Sequence, residues 1–404
     1  MSVIELKVFM QDKSVAIVGG GIVGLSLAYK LLQNGAKVTL YERESCLAHH
    51  QSGKNSGVLH SGIAYSVGSL KSKLCLDGYK QMIKYCSDNN VHYRLCGKYL
   101  FAQSSHQFDY LYSLYERALK IGLTGVKILE QPELELNVPE LVAKKALWIP
   151  QTGVVDYREV CESLARSIEQ LGGVIKLNSK IESVKEDEGI LLLQKTEYNY
   201  DHIIVAAGNN TISLSSDEVM KREFKLLSIK GEYYTTTTLQ RIDYCLYPLP
   251  DPKLPFLGLH CHPDKNGIIE VGPTAIICKD EYQFEKKFIT MDNISPFLKS
   301  RGARKMIYRN LSFAFDQILL RFSKKYFAHK VRTFLDIGSS KLVYKRSGIR
   351  AQVVNNSGLL INDFKINQFP KTTYLINVPS PAATASLAIA DFILNEINSN
   401  NQNL

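Results

Sequence analysis

Gly19-x-Gly21-x-x-Gly24 stands between an apolar run, Ser14 to Val18, and a stretch, Ile22 to Leu32, whose apolar residues recur at helical spacing. Lys37 to Tyr41, which follows Gly35 at the end of the helix, reads as a second strand. Strand, glycine turn, helix and strand make a βαβ unit, and that unit commits the chain to a parallel sheet. Gly19 permits the tight turn, Gly21 lets the backbone approach a pyrophosphate, and Gly24 allows the helix to pack closely on the strand. The helix N-terminus turns free N–H groups and positive potential toward the phosphates. Glu42 ends the second strand eighteen residues after Gly24, where its carboxylate can accept from both hydroxyls of an adenosine ribose. The segment predicts dinucleotide binding without saying which dinucleotide.

A chain of 404 residues exceeds one hydrophobic core, so two domains are expected. From about His92 to Ile149, Tyr, Leu and mixed charge interrupt the nucleotide-binding pattern around a helical stretch, Gln107 to Ile121, and a second domain is inserted there. From Asp156 the α/β character returns. Helix Tyr157 to Leu171 is stopped by Gly172-Gly173, strand Val174 to Leu177 follows, then a hairpin around Glu188-Gly189 and strand Asp201 to Ala207, ending at Gly208. Strand-like runs at Glu232 to Thr238, Phe256 to His262 and Gly267 to Ile277 predict an antiparallel sheet in the inserted domain.

No stretch approaches the ~18 apolar residues a spanning helix requires, and Met1 to Lys13 mixes Glu5, Lys7 and Asp12 among its apolar residues. Neither a membrane span nor a secretory signal is expected. Eight cysteines are scattered without a C-x-x-C pair, which reads as reduced thiols in a cytoplasmic protein. Of the net charge of +10, +9 lies between Lys299 and Arg332, where ten Lys/Arg meet the single acid Asp316. There Ile307, Leu311, Phe315, Ile318 and Phe322 recur at helical spacing among Arg304, Lys305, Arg309, Arg321, Lys324 and Lys325. Such a basic amphipathic helix either lies on an anionic membrane as a peripheral contact on its inner face or docks its apolar stripe in the core. No aromatic-interleaved basic motif accompanies the charge, so nucleic acid is not an expected partner.

Further along stand His50-Gln51-Ser52-Gly53-Lys54-Asn55-Ser56-Gly57-Val58-Leu59-His60-Ser61-Gly62 with Gly68-Ser69-Leu70-Lys71 and Cys75; Tyr247 to Pro252 through Phe256 to His260; Ser347-Gly348-Ile349-Arg350-Ala351-Gln352; and Asn377 to Ile389. These long blocks are similar to the L-2-hydroxyglutarate oxidase/dehydrogenase family, within the D-amino-acid oxidase-like flavoproteins. In order along the chain, they carry the resemblance over nearly its whole length. It implies an α/β architecture. A Rossmann-like FAD-binding domain with a parallel sheet would be built from 1–91, 150–215 and 345–404, and an α+β substrate or cap domain with an antiparallel sheet from 92–149 and 216–344. It also implies FAD as cofactor and oxidation of L-2-hydroxyglutarate to 2-oxoglutarate by hydride transfer from C2 to flavin N5. Oxidation of another small anion on the same scaffold, such as glycerol 3-phosphate or an amino acid, is the near alternative; a non-catalytic nucleotide-binding basic protein is the distant one. The electron acceptor stays open between oxygen and a membrane quinone.

Residue readings stand beside that resemblance. Crowded Gly and Ser from Ser52 to Gly62 leave room for a flat ring against the backbone, although a surface loop has the same composition. Ser52, Asn55, Ser56, Gly57 and Gly208 join Gly19, Gly21, Gly24 and Glu42 as expected cofactor contacts. Ser380 reads as a helix cap with Pro381 at the first helical position. The resemblance aims that helix start, Pro381, Ala382, Ala383 and Thr384, at the flavin, where its dipole stabilises negative charge on the reduced ring. Arg350 has the planar fork that suits a carboxylate, and the resemblance makes it the substrate anchor. A base must take the hydroxyl proton, and His60 and His260 are the candidates. A second cation is needed for a dicarboxylate. Lys54, Lys71 and Lys230 lie in range, and Lys230 with Tyr65 completes the expected substrate contacts. Ala64 and Val67 stand where the family carries an aromatic residue and proline, which bears on substrate identity. His260 and His262 face one side of a strand, but no third ligand of suitable spacing appears; the adjacent His49-His50 is a weaker signal still, and no metal is expected.

Overall fold

The computed structural model describes residues 11–238, 241–250, 258–278, 304–305, 308, 311–339, 341–355, 357 and 359–401. Strands Ser14–Val18 and Lys37–Tyr41 form over the residues expected and pair in parallel, with helix Ile22–Gln33 between them. Strands His202–Val205 and Thr372–Asn377 continue the parallel sheet on one side and Val174–Lys176 on the other; antiparallel Lys365–Phe369 closes one edge. The central strands are buried on both faces, which is why they read as unbroken apolar runs. Helices Ile22–Gln33, Leu70–Asp88, Tyr157–Gln170 and Ala382–Asn401 cover one face in a common core. The other face packs on a three-stranded meander, Ser183–Lys185, Ile190–Leu193 and Thr196–Asn199, whose first turn holds the expected hairpin with Gly189 at φ +71°.

The second large sheet runs, in spatial order, Ile276–Cys278, Phe224–Thr236, Ile269–Gly272, His260–Pro263, Cys245–Pro248, Lys98–Ala102, Lys145–Ile149 and Lys127–Glu130. It is antiparallel as expected except where Cys245–Pro248 lies parallel to Lys98–Ala102. The strand expected at Glu232 to Thr238 is longer, because Leu342–Asn355 pairs along all of Phe224–Thr236. That pairing carries Leu342–Asn355 across the domain boundary expected at 345. The run Gly267 to Ile277 is split at Gly272-Pro273, proline having no N–H for the ladder. Phe256 and Leu257, with the rest of 251–257, lie outside the described residues, and the strand there is His260–Pro263.

The basic helix expected over Lys299 to Arg332 is two helices in its described part, Leu311–Phe322 and Lys324–Arg332. The break falls at Ser323, whose hydroxyl caps the second helix by accepting the N–H of Tyr326 at 3.1 Å. Lys299, Ile307 and Arg309 lie outside the described residues. Leu311, Phe315, Ile318 and Phe322 are each exposed by half or more, so this stripe is not core. Arg321 is no surface base: it is buried in an ion pair with Glu232 of the large sheet. Among the described residues no helix is long and apolar enough to cross a membrane.

Candidate functional site

A cavity of about 750 Å³ runs from the glycine turn to the face of the second sheet, toward the upper end of the ~300–1,000 Å³ usual for small-molecule and cofactor sites. At the turn, Gly19 has φ +119°, and a Cβ there would lie 2.5 Å from the Ala206 carbonyl oxygen. Gly21 lines the cavity, whereas Gly24 does not; a Cβ on Gly24 would collide with the Gly19 carbonyl, so it serves the packing of helix on strand. Glu42 Oε2 accepts the Gly20 N–H at 2.7 Å and Oε1 the Glu44 N–H at 2.9 Å, which fixes the carboxylate at the cavity wall.

The Gly/Ser loop is fastened from both sides. Ser52 Oγ accepts the Ile22 N–H at 2.9 Å, so one helix N-terminal donor expected to face phosphates is already engaged. The Asn55 side chain donates to the Ser52 carbonyl and accepts from the Gly57 N–H, curling the loop on itself. Ser52, Asn55, Ser56 and Gly208 line the cavity; Gly57 is turned away, its carbonyl accepting from Val155 at 2.8 Å. On the opposite wall the helix starts at Ala382, one residue later than expected, and Pro381, Ala382, Ala383 and Thr384 all border the cavity. The buried Thr384 hydroxyl accepts the His60 N–H at 3.1 Å, donates to the Val58 carbonyl and shares a hydrogen bond with Tyr157. Cys75 donates to the His60 carbonyl, so His60 is pinned through its backbone to two helices.

His60, His260 and Arg350, distant in sequence, line the sheet end of this one cavity. Tyr65 and Lys230 do not line it. Register explains Lys230: it sits on the same strand as Ile229 and Gly231, which do line the cavity, and successive strand residues point to opposite faces. Tyr65 lies near the Ser380 hydroxyl and Arg350, and burial raises its phenol pKa. Lys71 stands 5.7 Å from the Tyr65 ring centre; burial and Arg350 push its pKa down to about 8 against the pull of Asp363.

His260 Nδ1 lies 3.0 Å from the Gly258 carbonyl. A carbonyl only accepts, so Nδ1 carries the proton and Nε2 keeps its lone pair. Burial lowers the pKa of both His60 and His260 to about 3, with Lys98 and Arg350 adding to the effect on His60, and His262, His60 and Lys98 to that on His260. Both rings are neutral near pH 7.

Sequence reasoning missed three residues here. Tyr247 stacks on His260 with ring centres 4.0 Å apart. Tyr233 lines the cavity and lies under the Arg346 guanidinium, which Glu270 holds in a charged hydrogen bond of 3.0 Å. Lys98 places its ammonium 5.3 Å from the Tyr247 ring centre. The available signal for Lys98 was a lone charge heading the apolar run Lys98–Ala102, all of it buried. Among the described residues the group with metal-ligand character is Glu44, His49 and His50, within 4.8 Å of one another; the Arg43 guanidinium bonds Glu44 at 3.1 Å and His50 at 3.3 Å.

Residues 14–394 match the family model described as FAD dependent oxidoreductase. The L-2-hydroxyglutarate dehydrogenase of Indibacter alkaliphilus is 34% identical over 94% of this chain and 97% of its own length. The mitochondrial L-2-hydroxyglutarate dehydrogenase of Dictyostelium discoideum is 32% identical over 96% of this chain and 93% of its own. Among solved structures, dithionite-reduced L-α-glycerophosphate oxidase from Mycoplasma pneumoniae with FAD bound superposes with a TM-score of 0.71 at 22% identity, covering 96% of this chain and 95% of that one, a likeness of fold. The glycine cradle where a Cβ would not fit, the acid fixed at the end of the second strand and the long cavity beyond them suit FAD. The chain belongs to the L-2-hydroxyglutarate oxidase/dehydrogenase family of FAD-dependent oxidoreductases.

Proposed function

We propose that this chain oxidises L-2-hydroxyglutarate to 2-oxoglutarate. The observation that carries the reading is the convergence of His60, His260 and Arg350 on the far end of a cavity that starts at the glycine turn; the names of the relatives support the substrate. Gly19, Gly21 and Glu42 hold the adenosine and pyrophosphate portion of FAD, and Ser52, Asn55, Ser56, Gly208 and Pro381 to Thr384 border the remainder. Bound FAD supplies the two-electron acceptor. The Arg350 fork captures the C1 carboxylate and orients C2. The hydroxyl proton leaves as C2 is oxidised, and His260 Nε2 takes it because Gly258 fixes that tautomer. Neutral His60, anchored by Thr384, keeps the hydroxyl aligned.

In the same reading the cofactor unit is 1–91, 150–215 and the chain beyond Asn355, and the substrate unit is 92–149 and 216–344 completed by the strand through Asn355. The acceptor is a membrane quinone: the exposed stripe Leu311, Phe315, Ile318 and Phe322, followed by Lys324 and Lys325, suits peripheral contact with anionic lipid. Anaerobic mixing with L-2-hydroxyglutarate tests the reaction. The bound flavin loses its oxidised absorbance; a flavin left oxidised by this acid, yet bleached by glycerol 3-phosphate or an amino acid, transfers the site to that substrate.

A further inference from the structure

Strand Leu342–Asn355 runs antiparallel to Phe224–Thr236 with Arg350 opposite Ile229, Gly348 opposite Gly231 and Arg346 opposite Tyr233. Successive strand residues alternate faces, so these three pairs form one row, and every member except Arg346 lines the cavity. Arg346 stands behind the wall, its guanidinium 4.4 Å from the centre of the Tyr233 ring.

The donors of that guanidinium point two ways. Nε and Nη2 both donate to Glu270 Oε2, the first at 3.0 Å. Lys345 holds the other oxygen of this buried carboxylate at 2.9 Å. Nη1 donates to the Lys54 carbonyl at 3.3 Å. Lys54 belongs to the Gly/Ser loop on the cofactor side of the cavity, just past the turn Gln51–Gly53. The same carbonyl abuts Gly348, where a Cβ would lie 2.3 Å from it. Gly348 therefore leaves the space into which the loop fits, and Arg346 fastens the loop there, two residues from Gly348 on one side as Arg350 is on the other. A planar fork with fixed donor directions can hold Glu270 and Lys54 together.

We infer that Arg346 is a positioning residue, which seats the Gly/Ser loop against the strand that carries Arg350 and so sets the spacing between cofactor and acid. The inference rests on the preceding reading, in which Ser52, Asn55 and Ser56 border FAD and Arg350 holds the C1 carboxylate. The two partners are held by different parts of the chain, and this contact joins those parts. An error of about 1 Å in such a spacing costs on the order of 100-fold in rate. Arg346 lines no part of the cavity, so its loss acts on the chemical step and spares the binding of the acid.

The test compares Arg346→Met and Arg346→Lys with the wild-type holoenzyme. It reads amide hydrogen exchange over residues 51–57, the anaerobic rate of flavin reduction at saturating L-2-hydroxyglutarate, and the dissociation constant of 2-oxoglutarate. Arg346→Met speeds exchange in the loop about tenfold, the worth of one hydrogen bond. It lowers the reduction rate roughly 100-fold and leaves the dissociation constant within about threefold. Arg346→Lys, whose ammonium meets either Glu270 or Lys54, falls between the two. Unchanged exchange, or a loss confined to the dissociation constant, overturns the inference and leaves the oxidation standing. A wild-type flavin that L-2-hydroxyglutarate does not reduce overturns the proposed reaction, and the exchange measurement alone then decides on Arg346. Should Arg346→Met not fold, Gly348→Ala, whose methyl displaces the Lys54 carbonyl from the same seat, shows the fast exchange; wild-type exchange in that variant overturns the inference.

Discussion

His260 serves as a proton acceptor only while its Nδ1 proton stays on the Gly258 carbonyl. His260→Ala is expected to slow anaerobic flavin reduction by about 100-fold or more with flavin content unchanged; reduction at the wild-type rate moves the proton to another group. Arg350→Met raises KM for the 2-hydroxy acid by ten-fold or more while FAD stays bound, since Arg350 lies at the opposite end of the cavity from the glycine turn. Steady-state kinetics beside a flavin assay checks it, and an unchanged KM removes Arg350 from the site. These residues were legible because each lies in a block where local sequence is informative. Lys98 was not. A lysine is by default on the surface, and its burial follows from pairing with Cys245, which no local pattern reports. Lys230 was legible as a cation, but the face it occupies depends on the register of Phe224–Thr236 against Leu342–Asn355.

Helix Leu311–Phe322 is fixed from one side and bare on the other. Arg321 pairs with Glu232, and Gln317 accepts the Ala275 N–H at 2.7 Å, leaving Leu311, Phe315, Ile318 and Phe322 facing outward. Phe315→Ser with Phe322→Ser should abolish co-sedimentation with anionic vesicles at unchanged flavin content. Lys324→Gln with Lys325→Gln should flatten the salt dependence of binding; a wild type that ignores vesicles rejects membrane contact altogether. The periodicity was read correctly over Leu311 to Phe322, but Ser323 looks like one more polar residue until its cap is seen. Strands Ser14–Val18 and Lys37–Tyr41 matched to the residue because a βαβ unit is specified within its own segment. Phe224–Thr236 was under-read because its length is set by Leu342–Asn355, over a hundred positions away.

Several histidines are folded into the interior as neutral rings. Burial lowers the pKa of His202 to about 4 and, with neighbouring charges, those of His60 and His260 to about 3, below the ~6.5 of an unfolded histidine. The unfolded chain therefore binds more protons below pH 6.5, and stability falls as pH drops from there toward 3 to 4. Each ring adds up to about 1.4 kcal/mol per pH unit to that slope. The urea midpoint should be lower at pH 5 than at pH 7.5, and a level profile between them contradicts the burial of neutral imidazoles.

Thr384, on the helix Ala382–Asn401, clasps the backbone of His60, and that helix wedges between Ile22–Gln33 and Leu70–Asp88. A ribosome releases Gly19, His60, His260 and Arg350 before it releases this helix. The nascent chain therefore carries these four residues while still missing the wall that holds His60 in place. The cavity is enclosed on that side only once synthesis has passed Thr384.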